Sequence, residues 1–83
     1  MSDTSILPLD WLSNWFAHKA ESIILESDDN YFEKNAIDSF DVIILIEDIE
    51  NQFDIKFSEI HFQDRRFVTM VGLAMIIEEL RGK

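Results

Sequence analysis

The sequence contains no cysteine and little glycine or proline, with two glycines and one proline in the whole chain. Without cysteine the chain can form no disulfide and can supply no thiol nucleophile of its own. Because glycine and proline interrupt regular structure, their scarcity favours a few long elements over many short strands. Apolar residues make up 47% of the sequence, which is ample for a core. We therefore predict an all-α fold, a small four-helix bundle of three longer helices and one short helix.

Long hydrophobic runs are also missing. The longest apolar stretch, near residues 71–77, is much shorter than a membrane-spanning helix, and the N-terminus carries Asp3 without a basic flank. We therefore expect no membrane insertion and a cytoplasmic location. With 83 residues the chain is too short for two hydrophobic cores, because small domains bury a smaller fraction of their surface than large ones. We predict one domain over residues 1–83, present as a monomer.

Positive charge is scarce as well. Seven Lys and Arg stand against seventeen Asp and Glu, which gives a formal net charge of −10. This excess repels nucleic acid and anionic membranes and favours partners with basic surfaces, so we expect no nucleic-acid partner. The two histidines, His18 and His61, are far apart and lack the spacing of metal ligands, so we predict neither a metal site nor acid-base catalysis by them.

Apolar residues at three- and four-residue steps predict the first helix from Asp10 onward, with Pro8 just ahead as a start signal. The predicted buried face consists of Leu12, Trp15, Phe16, Ala20, Ile23 and Ile24. A polar run at residues 26–30 then predicts a loop. Tyr31 and Phe32 are expected to anchor the following connection to the core.

The second segment is continuously apolar over residues 42–46, a pattern that also suits a strand. A wider window favours a helix, because its apolar residues form one stripe at helical spacing over roughly three turns. This stripe consists of Val42, Leu45, Ile46, Ile49 and Phe53. Asp38 is the predicted N-cap, and Asp41, three positions later, is the predicted acidic partner of a capping box. Ser39 then lies in the first turn of the helix.

The C-terminal part is predicted to contain a short helix capped by Ser58 and running through Phe62, then a loop at residues 63–66 with two solvated arginines. Anchors to the core are expected from Phe57, Ile60 or Phe62, and Phe67. Thr69 is predicted to cap a last helix that ends near residues 81–82. Its predicted buried stripe consists of Met70, Leu73, Ala74, Ile77 and Leu80.

Ser39 is the candidate functional residue. At a helix N-terminus the backbone N–H groups lack partners and the macrodipole is positive, so a phosphate ester on the Ser39 oxygen is favoured by ~0.3–1 kcal/mol at an exposed site. Neither a histidine nor a lysine lies nearby in sequence to activate the hydroxyl as a nucleophile. The pattern therefore indicates that Ser39 can carry a phosphodiester, and it does not indicate that Ser39 is a catalytic nucleophile.

The side of the second predicted helix that faces away from its buried stripe is acidic and partly apolar. This side carries Phe40, Ile44, Glu47, Asp48 and Asn51. No basic residue occurs between Lys34 and Lys56, so the helix itself cannot neutralise its acids, which also include Asp41 and Glu50. Such a surface is typical of a docking site for a basic groove. The alternative is a solvated face with one or two isolated hydrophobic residues.

The segment FEKNAIDSFDVIILIEDIENQFDIKF resembles the Phe-x-x-x-Gly-x-Asp-Ser-Leu signature of acyl carrier proteins, followed by their acidic second helix. The closing Glu-x-x-Phe-x-Ile pattern of that helix corresponds to Glu50, Phe53 and Ile55. Further on, RRFVTMVGLAMII is similar to the Phe-x-Thr-Val start of the family's last helix. The resemblance covers nearly the entire chain.

This resemblance implies an acyl-carrier-like domain that performs no chemistry itself. Ser39 would be the attachment point of 4′-phosphopantetheine, taken from coenzyme A by a phosphopantetheinyl transferase, and Asp38 would be the motif residue before it. The arm's thiol would carry acyl groups as thioesters for fatty-acid, polyketide or specialised lipid biosynthesis. Acyl-transferring and synthase enzymes with basic docking surfaces would be the other partners. Their expected contacts are Phe40, Asp41, Ile44, Glu47 and Asp48.

Three positions depart from the family pattern. Ala36 stands where glycine is usual, which implies a less permissive backbone before the serine. Phe40 replaces the usual leucine, and Ile44 occupies a position that is often acidic in fatty-acid carriers. These differences favour a specialised carrier over the housekeeping carrier of fatty-acid synthesis.

Other functions are also compatible with the sequence. A peptidyl or D-alanyl carrier shares the same outline. An unmodified helical interaction module would use the face around Phe40, Ile44 and Glu47 without needing the serine. A hydrolytic enzyme would need a base such as His18 or His61 close to Ser39 in space.

Overall fold

The computed structural model describes residues 7–20 and 23–82. Within these ranges the chain forms four α-helices and a short 3₁₀ helix, and it contains no β-strand. The elements are α1 (Pro8–Lys19), α2 (Ser39–Phe53), α3 (Glu59–Phe62), the 3₁₀ helix (Arg65–Val68) and α4 (Met70–Arg81). The predicted all-α class, with three longer helices and one short helix, is confirmed for this part of the chain. None of these helices has the length and apolar character needed to cross a membrane.

Helix α1 is shorter than the sequence predicts. It ends at Lys19, because Ala20 leaves helical geometry with φ −126° and ψ 59°. The predicted continuation of the buried face is therefore wrong at Ile24, which is 87% exposed, while Ile23 packs partly against the core from outside the helix. The remaining residues of the predicted face lie in or against the core, and they are Leu12, Trp15, Phe16 and Ala20.

The connection between α1 and α2 is anchored by Tyr31, which is fully buried. Its hydroxyl donates a hydrogen bond to the Phe67 carbonyl, and its backbone N–H donates to the Val68 carbonyl at 3.1 Å. Burial raises the pKa of the Tyr31 hydroxyl, which keeps its proton for this bond. Phe32 contacts the Tyr31 ring with centroids 4.9 Å apart, but it is 37% exposed, so its predicted role as a core anchor is wrong.

Helix α2 forms over the segment that also suited a strand, and its predicted stripe faces the core. Trp11 of α1 packs edge-on against Phe53 near the end of α2, with ring centroids 5.6 Å apart. The helix stops at Asp54, which adopts a left-handed conformation with φ 54°. The stripe residues found in or against the core are Val42, Leu45, Ile46, Ile49 and Phe53.

Helix α3 is a single turn that begins after its predicted cap, Ser58, and buries none of its residues. Ile60 and Phe62 are 71% and 48% exposed, so the prediction that one of them anchors the core is wrong. Phe67 in the 3₁₀ helix is buried instead, and Phe57 packs partly against the same core. This 3₁₀ helix begins inside the segment that the sequence predicts to be a loop.

The two arginines that were predicted to be solvated differ in their surroundings. Arg65 is exposed, whereas Arg66 is half-buried and forms ion pairs with Asp64 at 2.8 Å and with Glu79 of α4 at 2.6 Å. The prediction is wrong for Arg66, because two carboxylates converge on its guanidinium group. Hydrogen bonds from Arg66 lower the pKa of Asp64 to about 2, and they also lower the pKa of Glu79.

Helix α4 packs directly against the 3₁₀ helix. Thr69 is its cap, as predicted, and its Oγ1 accepts a hydrogen bond from the Gly72 N–H at 2.9 Å. A Cβ atom at Gly72 would lie 1.8 Å from the Arg66 carbonyl oxygen. Only glycine therefore allows the backbone of α4 to come this close to the Arg66 carbonyl. The predicted stripe of α4 is confirmed, but it omitted Ile76, which is fully buried. The stripe residues found in or against the core are Met70, Leu73, Ala74, Ile77 and Leu80.

Candidate attachment site at the start of α2

Ser39 is the first residue of α2, and a capping box holds this helix start in place. The Asp38 carboxylate accepts a hydrogen bond from the Asp41 backbone N–H at 2.9 Å, and the Asp41 carboxylate accepts one from the Asp38 N–H at 3.4 Å. Asp38 has extended backbone geometry, with φ −106° and ψ −175°, as is usual for an N-cap residue. The helix therefore begins where the capping pattern of the sequence places it.

Buried residues hold the loop that leads to Ser39. Ala36 and Ile37 are 8% and 6% exposed, and the Ala36 N–H donates to the Tyr31 carbonyl at 2.9 Å. The left-handed residue in this loop is Asn35, with φ 58°, a conformation that asparagine adopts more readily than most residues. Because Ala36 itself has no positive φ, the absence of glycine there strains no backbone.

The Ser39 hydroxyl is accessible and has no activating base. Ser39 is exposed, and its side chain makes no hydrogen bond with another residue that the structure describes. His18 Nδ1 lies 2.8 Å from the Asn14 carbonyl oxygen, and His61 Nδ1 accepts from the Ser58 N–H at 2.9 Å. Neither histidine is therefore bonded to Ser39. Because the Ser39 hydroxyl is exposed, another enzyme can reach it and transfer a group to it. That enzyme would supply the base that this protein lacks beside the serine.

Lys19, at the end of α1, brings a positive charge to the start of α2. Its Nζ atom lies 3.3 Å from Asp41 Oδ1, two residues after Ser39. This charge offsets part of the negative charge that the capping aspartates place beside the hydroxyl. A phosphodiester on Ser39 would also lie close to first-turn N–H groups that have no intrahelical partner, so the residues present fit such a group. Local spacing could not identify Lys19 as a neighbour of this helix start, because it belongs to another helix.

The first half of α2 displays large apolar side chains. Phe40 is 77% exposed, Ile43 is 59% exposed and Ile44 is 43% exposed. Together with the exposed Glu47 they form what we call the docking surface, defined as Phe40, Ile43, Ile44 and Glu47. Ile43 was not among the predicted docking residues, although its spacing of three from Phe40 and four from Glu47 places all three on one helical face.

The other acids of α2 have partners outside its exposed face. Asp48 is half-buried and accepts a hydrogen bond from Trp15 Nε1 at 2.9 Å. Glu50 accepts from the Phe57 backbone N–H at 2.9 Å and so holds the chain after the helix. The helix supplies no cation to its acids, as the sequence indicates, but neighbouring residues engage Asp48, Glu50 and Asp41. Glu47 forms no hydrogen bond or ion pair with another residue in the described ranges.

A groove of about 450 Å³ lies between α1 and α2. The two helices run antiparallel here, because Lys19 contacts Asp41 whereas Trp15, one turn earlier in α1, contacts Asp48 farther along α2. On the α2 side the groove is lined by residues 44 and 48, and Ser39 does not line it. Its walls include Trp11, Asn14, Trp15 and His18 from α1, with Ile44 and Asp48 from α2.

No protein-family model, curated protein or solved structure matches this chain. Among the residues that the structure describes, no group of three or more His, Asp or Glu side chains could hold a metal ion. The features of this chain that bear on its function are therefore the geometry around Ser39, the docking surface and the sequence motif that contains them.

Proposed function

We propose that this protein is an acyl carrier protein whose Ser39 hydroxyl carries a covalent 4′-phosphopantetheine arm. The observation that supports this most is an exposed alcohol, without a hydrogen-bonded base, at the first residue of α2. A phosphopantetheinyl transferase supplies the base that takes the hydroxyl proton, and the Ser39 oxygen forms a new bond to the phosphorus of coenzyme A that bears the pantetheine. The P–O bond that joins this phosphorus to the second phosphate breaks, and 3′,5′-adenosine diphosphate leaves. When bound, the arm supplies a thiol for acyl thioesters in a chain that has no cysteine.

The residues around Ser39 position the alcohol and do no further chemistry in this proposal. The capping box of Asp38 and Asp41 fixes the helix start, and buried Ala36 and Ile37 hold the preceding loop against the core. A tethered cargo then meets each partner enzyme at a raised effective concentration. The carrier acts as a cytoplasmic monomer.

The cargo that we propose is an acyl intermediate of fatty-acid, polyketide or specialised lipid biosynthesis. The exposed Phe40 and Ile44 favour partner enzymes with an apolar pocket beside a basic rim, since Glu47 lies on the same surface. A peptidyl or D-alanyl carrier is the alternative within the same chemistry. Mass analysis of the arm's cargo distinguishes them, because an aminoacyl group and a fatty acyl group differ in mass.

Modification in vitro tests the proposal. Wild-type protein incubated with coenzyme A and several broad-specificity transferases should gain the mass of one arm, as measured by intact-protein mass spectrometry. The Ser39→Ala variant should gain none. Ser58→Ala is the matched control, because Ser58 is also an exposed serine at a helix N-terminus, and this variant should be modified like the wild type. Wild type that stays unmodified with every transferase, or equal modification of Ser39→Ala, would reject the proposal.

An unmodified interaction module is the second candidate, and the docking surface favours it. Phe40, Ile43 and Ile44 are three large, exposed apolar side chains on one helix. Together they form a patch that a partner protein can bury. In that case Ile44→Lys abolishes partner binding while Ser39→Ala leaves both binding and function intact. In the carrier proposal Ser39→Ala abolishes function even where binding to the partner persists.

A further inference from the structure

A second pocket lies between α1, the chain segment that follows α1 and the start of α4. Its volume is about 410 Å³, which is in the range of small-molecule sites, ≈ 300–1,000 Å³. Its described lining includes no residue of α2, so neither Ser39 nor the docking surface belongs to it. The pocket is therefore separate from the candidate attachment site.

Core packing holds the walls of this pocket in place. Phe16 of α1 and Met70 of α4 are buried, and they form its apolar inner side. The Phe16 ring also contacts the ring of Tyr31, with centroids 5.0 Å apart. On the side of the connecting segment, the Ser27 carbonyl accepts a hydrogen bond from the Val71 N–H at 3.0 Å. Both sides are thus fixed to the helices, and the pocket is preformed, as ligand sites usually are.

Three polar side chains line the same pocket, and their oxygens are available to a ligand. The Glu26 backbone N–H donates to Asp29 Oδ2 at 2.9 Å, but the Glu26 carboxylate has no hydrogen bond or ion pair with another described residue. The Ser27 hydroxyl has none either. Ser13 Oγ reaches only the Met70 sulfur, at 4.0 Å, so its oxygen can still accept. The pocket therefore offers one carboxylate and two hydroxyl groups beside an apolar wall.

The charge around the pocket is negative. Asp28 and Asp29 follow Glu26 closely in the chain, and Lys34, which lies 3.9 Å from Asp29 Oδ2, offsets only one of these three charges. No lysine or arginine is among the residues described as lining the pocket. The net charge of −10 acts in the same direction. A cationic ligand is therefore attracted to this pocket, and an anionic ligand is repelled.

We propose that this pocket binds a small primary amine in its protonated form. The ammonium group lies at the Glu26 carboxylate and the hydroxyls of Ser13 and Ser27, and the apolar body of the ligand lies against Phe16 and Met70. An ammonium group has three N–H donors and no acceptor, and these three side chains supply acceptors for it. Such an amine stays charged at neutral pH, as a lysine side chain does. Binding is non-covalent, and the inference does not depend on the carrier function proposed above.

Methionine methyl signals in NMR spectra report occupancy, because Met70 lines the pocket whereas the exposed Met75 does not. Protein labelled with ¹³C at the methionine methyl groups is titrated with n-hexylammonium, 1-hexanol and hexanoate. Hexylammonium should shift the Met70 signal saturably, with a Kd on the order of 1 mM, and leave Met75 unchanged. Hexanol should bind about tenfold more weakly, because it brings no charge to Glu26. Hexanoate should give no saturable shift.

Two variants locate the charge that is recognised. Glu26→Gln keeps the shape of the side chain and removes its charge, so hexylammonium should bind about tenfold more weakly and hexanol should bind as before. Asp28→Asn removes the same charge from a nearby exposed residue that does not line the pocket. This control should change the affinity for hexylammonium by less than about twofold, because solvent screens the exposed charge. The wild-type series is informative by itself, so the test does not depend on the folding of either variant.

Three results would each overturn the inference. The first is hexanol or hexanoate binding as tightly as hexylammonium, because the pocket would then not recognise the charge. The second is a hexylammonium titration in which the Met70 signal stays unchanged or moves only in parallel with that of Met75. The third is an equal loss of affinity in Glu26→Gln and Asp28→Asn, which would show attraction by the overall charge of the chain.

Discussion

The junction between the 3₁₀ helix and α4 is closely packed, whereas the first half of α2 is open. At the junction Gly72 admits the Arg66 carbonyl, and the Arg66 guanidinium joins two carboxylates. In the first half of α2, Phe40 and its apolar neighbours are exposed, and the Ser39 hydroxyl has no hydrogen bond to a described residue. We therefore expect stability to depend on the junction, and in the proposed carrier function recognition by partner enzymes depends on α2. Substitutions in the two regions should therefore affect different measurements.

Gly72→Ala should have the largest effect on stability. Its Cβ atom would lie 1.8 Å from the backbone carbonyl oxygen of Arg66, and backbone cannot move aside as a flexible side chain can. Overpacking of this kind costs about 3 kcal/mol of unfolding free energy. Urea denaturation followed by circular dichroism measures it. Gly82→Ala is the control, because its Cβ atom would meet the nearest carbonyl oxygen at 3.4 Å, and it should change stability by less than about 1 kcal/mol. Equal stability of the two variants would contradict the packing described at the junction.

Tyr31→Phe should have the next largest effect. It removes the hydroxyl that donates to the Phe67 carbonyl in a fully buried position, so that carbonyl loses a partner, at a cost of about 1–3 kcal/mol. The same denaturation experiment measures the loss. Ser39→Ala, in the open region, should remain within about 0.5 kcal/mol of wild type. If Ser39→Ala proves as destabilising as Tyr31→Phe, the contrast between the two regions does not hold.

Ile44→Lys should weaken recognition without affecting the fold. The substitution places a cation in a docking surface that is proposed to meet a basic groove, and we expect kcat/KM for arm transfer to fall about tenfold, or about 1.4 kcal/mol. Asn51→Lys adds the same charge to an exposed site on the last part of α2 and should lower it much less. Steady-state transfer kinetics with one transferase give both values. Equal losses in the two variants would show that overall charge, and not this surface, controls the reaction.

A smaller effect is expected from pH at the junction. Arg66 lowers the pKa of Asp64 from 3.8 to about 2, so the folded state favours the ionised carboxylate. The stabilisation is fully present above the unfolded pKa and is lost as the pH falls through about 2. Because the pair is accessible to solvent, the loss is small.

Denaturation of wild type and Asp64→Asn at several values between about pH 4.5 and pH 2 tests this dependence. The wild type should lose more stability over that interval than Asp64→Asn. Asp28→Asn, in an exposed part of the loop before α2, is the control and should follow the wild-type slope. Parallel slopes for wild type and Asp64→Asn would show that the ion pair contributes nothing.

The sequence predicted those features that depend on local spacing. The stripe of α2 identified a helix where a five-residue window suited a strand, and the spacing of Asp38 and Asp41 placed Ser39 in the first turn. Features that depend on contacts between distant segments were missed. Arg66 lies in a polar stretch of the sequence and was therefore predicted to be solvated. In the folded chain Glu79, thirteen positions later, lies next to its guanidinium group.

The end of α1 and the surface of α2 show the same limit. Apolar residues continue at helical spacing through Ile24, yet the helix ends at Lys19, so periodicity alone overestimated its length. The groove between α1 and α2 could not be predicted either, because its walls come from two helices that are separated by a long loop. The local sequence pattern therefore located the candidate serine. The residues that surround it come from distant segments and could be identified only from the tertiary structure.

Peptide mapping of the protein isolated from its native host tests the carrier function most directly. Trypsin cleaves after Lys34 and Lys56, and no basic residue lies between them, so a single peptide covers residues 35–56. Ser39 is the only hydroxyl-bearing residue in that peptide, so its mass alone locates the modification. We predict that this peptide carries 4′-phosphopantetheine, free or acylated. A peptide that is always unmodified, or an arm found on any other peptide, would contradict the proposal.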